Sequence, residues 1–361
     1  MSATGVGTLP VVEDWPAVKR RWDAFWEHGL VDRPLLQVTA PRDRVEPRHS
    51  KVDPTAQWTD PAYMIAHAEQ QLQTVYYGGE ALPWCWNPIS AGWSLLFGCQ
   101  PHYSTSTVYV DPAPPGPDGF PSLAGWQDSP AWTWIRSSHV AFAEASRCRF
   151  FVPVFWGNSS LDSLGLVCGV ENLLMDFVLH PAWLRTALRQ MNDILRTAFE
   201  ELSPLVGPLA TGLEGCVETC GFWSRGKART FDADLACNIS NEAFKEFVLP
   251  PLVEWMQQIN HASWHLDGTG NLRHLDTLLD LPELCAIQWV QGEGSHHAIR
   301  AWIPLIQKIQ ARGKSVQVLC EPEEVEAVLD EVRPEGLVIK THCANESAAR
   351  QLIERVARRY H

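Results

Sequence analysis

From about residue 260 onward, short apolar runs alternate with amphipathic stretches at close, regular spacing. "ASWHLDG", "CAIQWVQ", "KSVQVLC" and "GLVIKTHC" each read as a strand. Helical periodicity follows each of them, over 271–281, 296–312, 322–332 and 345–359. Near-continuous apolar strands joined through helices by short loops predict a parallel sheet covered on its faces. Earlier in the chain, helical spacing over 14–34 leads into the strand "PLLQVTAP", and 60–80 reads as a helix closed by glycines. Further helices are predicted over 132–147 and in "GVENLLMDFVLHP", "AWLRTALRQMNDILRTAFEELSPLVG" and "SNEAFKEFVLPPLVEWMQQIN", the last capped by Ser240 or Asn241. "RFFVPVFW" (149–156) and "PLATGLEG" are the remaining candidate strands. The repetition and the length favour a single α/β domain, 1–361, built as a (β/α)8 TIM barrel with an N-terminal helical extension.

The stretch 80–130 breaks the pattern. It is rich in Gly, Pro, Ser and Trp, has little periodicity, and suits a long irregular insertion that acts as a lid. No apolar run approaches the ~20 residues of a membrane span. The start of the chain lacks the basic-then-apolar order of a secretory signal, so a cytoplasmic location is expected. A formal net charge of −13 disfavours nucleic acid and polyanionic ligands. The ten cysteines are scattered rather than regularly spaced, and suit free, mostly buried thiols. "CVETC" has the wrong separation for a redox pair and reads as two packing thiols, Cys216 and Cys220. Of the 17 tryptophans, Trp156 and Trp289 directly follow or end strand-like runs and are the best candidates for a ligand-pocket wall.

In a barrel of this kind the chemistry lies at the C-terminal ends of the strands. That rule selects His265 and Asp267, then Gln288, Trp289, Gln291 and Glu293. It also selects Cys320 and Glu321, Thr341, His342 and Cys343, Glu214, Cys216, Glu218 and Cys220, and Asn158 and Asp162. His265 and Asp267 are two apart on a strand and project to one side. With Cys343 from the last strand they make an N/O/S set of three, the pattern of a catalytic zinc site with one open position. The plainer reading is that Asp267 precedes a glycine as turn chemistry and holds His265 in one tautomer.

The chain resembles the uroporphyrinogen decarboxylase-like superfamily, which includes corrinoid- and zinc-dependent methyltransferases. The likeness runs through "RRWDAFWEHGLVDRPLLQVTAP", "GNSSLDSLGLVCGVENLLMDFVLHP", "FDADLACNISNEAFKEFVLPPL" and "WHLDGTGNLRHLDTLLDLPELCAIQWVQGEG". It closes with "GKSVQVLCEPEEVEAVL" and "GLVIKTHCANESAARQLIE". It implies a TIM barrel, and paired barrels in the superfamily make a homodimer an expectation to test. The arginine-rich segment of true uroporphyrinogen decarboxylases has no counterpart here, which argues against that reaction. The zinc methyltransferases carry His-x-Cys where this chain has His265-Leu266-Asp267, and a later Cys near the position of Cys343. Asp267 thus replaces a thiolate with a harder ligand.

Three functions follow as expectations. The first is zinc-assisted methyl transfer to or from a small molecule or thiol. No DxHxxG segment is present, so a corrinoid would come on a partner protein. Glu214 or Glu218 would serve as general base or orient the substrate, and Trp156, Trp289, Gln288, Asn158 and His342 would contact it. The second is a metal-free lyase or decarboxylase with Asp267 as acid/base, tuned by His265 and His342. The third is a non-catalytic small-molecule binder with a tryptophan-rich mouth.

Overall fold

The computed structural model describes residues 9, 11–43, 53–85, 92–116, 118–154, 159–292 and 298–360. Among them a mostly parallel seven-stranded sheet forms the centre. Its strands are β1 (Leu35–Pro41), β2 (Val75–Gly79), β3 (Ala228–Phe231), β4 (His261–Asp267), β5 (Leu284–Val290), β6 (Ser315–Leu319) and β7 (Leu337–His342). They run in the order β2-β1-β7-β6-β5-β4-β3, with only β2 antiparallel to its neighbour. No ladder joins β2 to β3 among the described residues, so the sheet is not closed.

The four strands expected after residue 260 all form. Their outward residues, such as Val316, Val318, Leu337 and Ile339, are fully buried in the main core beneath the helices. The helix expected at 345–359 spans Glu346–Arg359, capped by the Asn345 side chain accepting from Ala348 N–H. Ser240 caps the helix after β3 by accepting from Ala243 N–H.

Three expectations change. "PLATGLEG" is no strand: Pro208–Thr211 is a helical turn ended by Gly212 at φ 76°. The described part of "RFFVPVFW", 149–154, makes one isolated parallel bridge, Trp84 to Phe151, rather than a strand. The helix at 60–80 stops at Thr74, and Val75–Gly79 becomes β2. Within 80–130, Gln100–Tyr103 and Val108–Asp111 pair as an antiparallel hairpin, and Gly92–Leu95 and Trp126–Asp128 form short helical turns. Among the described residues, no helix is long and apolar enough to cross a membrane.

The N-terminal helix, Trp15–Trp26, decides which end of the sheet is open. Asp14 caps it and Pro16 occupies its first turn. Its buried face, Trp15, Val18, Trp22, Phe25 and Trp26, meets Phe222 and Trp223 of the short hairpin Cys216–Ser224. Trp26 stacks on His261, the first residue of β4, at 4.5 Å, and the Phe25 carbonyl accepts from Ser315, the first residue of β6. The helix therefore seals the strand-start end. A buried ion cluster locks it there: Glu80 is fully buried, accepts from Arg33 at 2.8 and 2.9 Å, and from Arg21 at 2.9 Å. The strand C-termini remain as the face available for a site.

Candidate functional site

β4 delivers His265 and Asp267 to the same side, because alternate residues of a strand share a face. Parallel pairing sets His265 beside Gln288 and Asp267 beside Val290 of β5. The third member comes from the turn after β3. A ligand atom from each of Asp234, His265 and Asp267 lies within 4.8 Å of the others. Two neighbours hold this geometry. Asp162 accepts from the backbone N–H of Asp234 and Leu235 at 3.1 and 2.8 Å, and from the Ser159 hydroxyl at 2.8 Å. Asn271 donates to the carbonyls of Asp267 at 2.9 Å and Asp234 at 3.4 Å, tying the two strand ends together.

A chain of amides fixes the imidazole. His265 Nδ1 lies 2.6 Å from Gln288 Oε1, which also accepts from the Cys220 thiol at 2.9 Å. Gln288 Nε2 donates to Gln317 at 2.8 Å, Gln317 donates to Gln37 at 2.8 Å, and Gln37 donates to the Gly221 carbonyl at 2.7 Å. Every amide in this run points the same way. Each Gln side chain is buried, and each carbonyl oxygen that must accept is committed. Nδ1 of His265 is thus a donor to Gln288 Oε1.

The electrostatics follow from burial and crowding. Burial lowers the pKa of His265, but the hydrogen bond and charge of Cys220, the charge of Asp234 and the bond to Gln288 outweigh it and raise it to about 10. Asp234 is exposed as a residue, yet its carboxyl comes within 4.8 Å of the ligand atoms of His265 and Asp267. Burial, then the charges of Asp162 and Asp267, raise it to about 7 against the pull of His265. Burial raises Asp162, and burial together with Asp162 and Asp234 raises Asp232 well above the usual carboxylate range. Among the described residues, Asp267 Oδ1 is buried with no hydrogen-bond partner. A carboxylate oxygen left so is costly unless something positive meets it. One imidazole and two carboxylates around it fit a divalent metal, with one position open in a tetrahedral set.

Above the strand ends lies a cavity of about 620 Å³, lined among others by Asp267, Gln291, Leu319, Lys340, His342 and Thr39. His342 Nδ1 is bonded to Thr39 Oγ1 at 3.0 Å.

The residues selected from sequence divide accordingly. Asp267, His342 and Trp289 line this mouth, Trp289 also packing on Trp302 at 4.9 Å, while His265 joins Asp267 in the trio without lining the cavity. Gln288 orients His265 instead of lining the cavity. Cys343 is not in the trio. One residue past β7, its thiol is buried in the core between sheet and helices, and burial raises its pKa. Glu214 is drawn to the opposite end of the sheet, where it pairs with Lys19 of the N-terminal helix and with Arg225. Glu218 is buried, accepts from Thr230 N–H at 3.2 Å and sits within the field of Arg229; burial, against that field, raises it to about 7. Trp156, Asn158 and Glu293 lie outside the described residues. Asp234 is the member that sequence reasoning did not place, and Cys220, read there as a packing thiol, donates to Gln288. The acidic alternation of "FDAD" just past a strand was the available signal for Asp234.

No protein-family model matches the chain, and no curated protein matches it. Among solved structures, the chain is similar to a methyltransferase from Methanosarcina mazei. The two share 16% sequence identity with a TM-score of 0.59, over 95% of this chain and 99% of that one. At that identity the likeness is one of fold.

Proposed function

We propose that this protein is a metal-assisted methyltransferase whose site is the trio Asp234, His265 and Asp267 at the strand C-termini. The observation that carries the reading is the buried Oδ1 of Asp267, unpartnered among the described residues, inside a cluster of metal-type donors. The shared fold with a methyltransferase supports it. The strand order and parallel registers also fit a (β/α)8 barrel of the uroporphyrinogen decarboxylase-like type. A zinc ion held by these three residues would supply Lewis acidity and stabilise a thiolate or leaving group. The chain's own residues do the rest. Gln288 keeps Nδ1 of His265 as donor. Asp162 and Asn271 hold the Asp234 turn against β4, and the cavity admits a small methylated molecule or thiol. With no corrinoid segment in the sequence, the methyl group would be carried by a corrinoid on a separate protein, and a homodimer is the assembly to test.

A second reading is favoured by the elevated pKa of Asp234, about 7. Without metal, a carboxyl near neutrality beside His265 and Asp267 suits proton transfer in a lyase or decarboxylase.

Metal content of the purified protein separates the two. Methyl transfer predicts one zinc per chain, lost in Asp267→Asn, His265→Ala and Asp234→Asn and retained in Cys343→Ser. Metal-free protein that keeps turnover, and loses it in Asp234→Asn, would replace the first reading by the second. Metal-free protein without turnover, binding a ligand unaffected by all four changes, would leave only a binding role.

A further inference from the structure

β3 is the last strand of the sheet, and no strand pairs with its outer edge among the described residues. An open strand edge leaves backbone N–H and C=O groups without ladder partners. Side chains of the hairpin Cys216–Ser224 meet part of that need. Cys216 and Glu218, two apart, turn to the same edge. The Cys216 thiol donates to the Gly226 carbonyl at 3.2 Å, just before β3, and Glu218 Oε2 accepts from Thr230 N–H at 3.2 Å. Beside them lies a cavity of about 210 Å³. Val152 and Val154 line it from the 149–154 segment, and Phe199 and Val206 from the long helix Pro181–Val206. It shares no lining residue with the larger cavity above the strand C-termini.

Glu218 gives this apolar space its chemistry. It lines the cavity and is 4% exposed. Among the described residues its second oxygen, Oε1, has no hydrogen-bond partner and its carboxyl has no ion pair. Arg229 acts on it through its field, but burial outweighs that field and raises Glu218 to about 7. Cys216, pushed up to about 12 by burial and by the charge of Glu218, stays a neutral thiol. Arg225 and Lys227 also line the cavity, but both are exposed and already paired, Arg225 with Asp23 and Glu214, Lys227 with Glu200. A buried carboxylate oxygen in this state is unfavourable until a donor meets it, and a cationic donor meets it best. An anionic ligand would meet like charge at Glu218. Size sets the rest, since a dry cavity of ~150 Å³ takes a benzene ring.

We propose that this cavity is a second ligand site, which takes a small apolar amine with its ammonium on Glu218 Oε1. Its hydrocarbon part packs among Val152, Val154, Phe199 and Val206. The site stands apart from Asp234, His265 and Asp267 and does not rest on the methyl-transfer reading.

The test uses benzylamine and its neutral isostere benzyl alcohol, titrated by ligand-observed NMR against the full-length protein at pH 8, with and without chelator. At that pH the amine is a cation and Glu218 is ionised. Benzylamine is expected to bind roughly tenfold more tightly, the difference between a charge-assisted and a neutral hydrogen bond. Glu218→Gln is expected to erase the preference while keeping benzyl alcohol. Ser203→Phe, which places a ring in the cavity from the long helix, is expected to abolish both. Asp267→Asn is expected to change neither, and circular dichroism checks that each variant folds. Equal binding of the two probes, no measurable binding of benzylamine, or a preference that survives Glu218→Gln overturns the proposal. A preference lost on adding chelator or in Asp267→Asn also overturns it, because the amine would then sit at the metal-type trio.

Discussion

Replacing Gln288 by leucine tests the link between the amide chain and the metal-type trio. Leucine nearly conserves volume but removes three bonds at once. Oε1 no longer accepts from His265 at 2.6 Å or from Cys220 at 2.9 Å, and Nε2 no longer donates to Gln317 at 2.8 Å. The thiol is a weak donor, so two strong groups are stranded, the imidazole Nδ1–H and the Gln317 carbonyl. A buried polar group left unpaired costs ~1–3 kcal/mol, which puts the destabilisation at ~2–6 kcal/mol. The second effect is specific to the site. Loss of the partner that fixes a ligating histidine weakens metal binding ~10–100-fold. Gln288→Glu keeps the acceptor for His265 while losing the donor to Gln317, so it is expected to be destabilised yet to retain zinc affinity within about tenfold. Stability is read by urea unfolding in the presence of chelator, and zinc affinity by competition with a chromophoric chelator. A leucine variant as destabilised as expected but binding zinc like the parent would refute the idea that Gln288 acts through His265.

Glu80→Gln removes the charge shared by Arg33 and Arg21 and is expected to cost ~3–5 kcal/mol in urea unfolding, the penalty for breaking a buried pair; a loss under about 1 kcal/mol would show that the cluster does not pin the N-terminal helix. Glu218, raised by burial from 4.5 to about 7, binds its proton more tightly in the folded than in the unfolded chain. Its contribution is therefore fully present below pH 4.5 and is lost as pH rises through about 7, a decline of ~3 kcal/mol. Glu218→Gln should flatten that part of the stability–pH curve, and an unchanged slope would contradict the assignment. Asp162→Asn keeps an acceptor for only one of the two backbone N–H groups it now holds without rearrangement. It is expected to loosen the Asp234 turn and to lower zinc affinity ~10-fold with little change in helix content, checked by chelator competition and circular dichroism.

The four strands β4 to β7 were legible because each is a continuous apolar run set off by a helical period. β3 was not, because Arg229 interrupts it. The structure tolerates that arginine only through stacking on Trp255 and the opposing charges of Glu218 and Asp232, contacts distant in sequence. Missing β3 hid Asp234, which follows it by three residues. His265 and Asp267 were legible for the converse reason, since a period of two at a strand end is a local rule. Cys343 looked equivalent from spacing. However, β7 ends at His342, and the next residue turns into the core. "PLATG" carried its own signal, proline first and glycine last, which marks a helical turn more strongly than its apolar residues mark a strand.

The amide chain was written in the sequence in a form that single-strand reading passes over. "LLQVTA", "CAIQWV" and "SVQVL" each place one glutamine inside an apolar run. A lone buried amide is unfavourable, so one such strand reads as an exception. Three such strands, brought onto adjoining positions of one sheet face, instead require one another, because each side chain has both a donor and an acceptor to satisfy. The parallel register between β5 and β6 sets Gln288 directly against Gln317, and Gln37 reaches Gln317 past β7. Once that run is fixed, His265 and Cys220 are the donors that terminate it, and the orientation of the imidazole follows from glutamines that never approach the cavity. Reversal of any one amide would set two carbonyls or two NH2 groups against each other. The orientation of the His265 ring is therefore held cooperatively, and Gln37→Leu, two links away, is expected to weaken zinc binding by a smaller factor than Gln288→Leu but in the same direction.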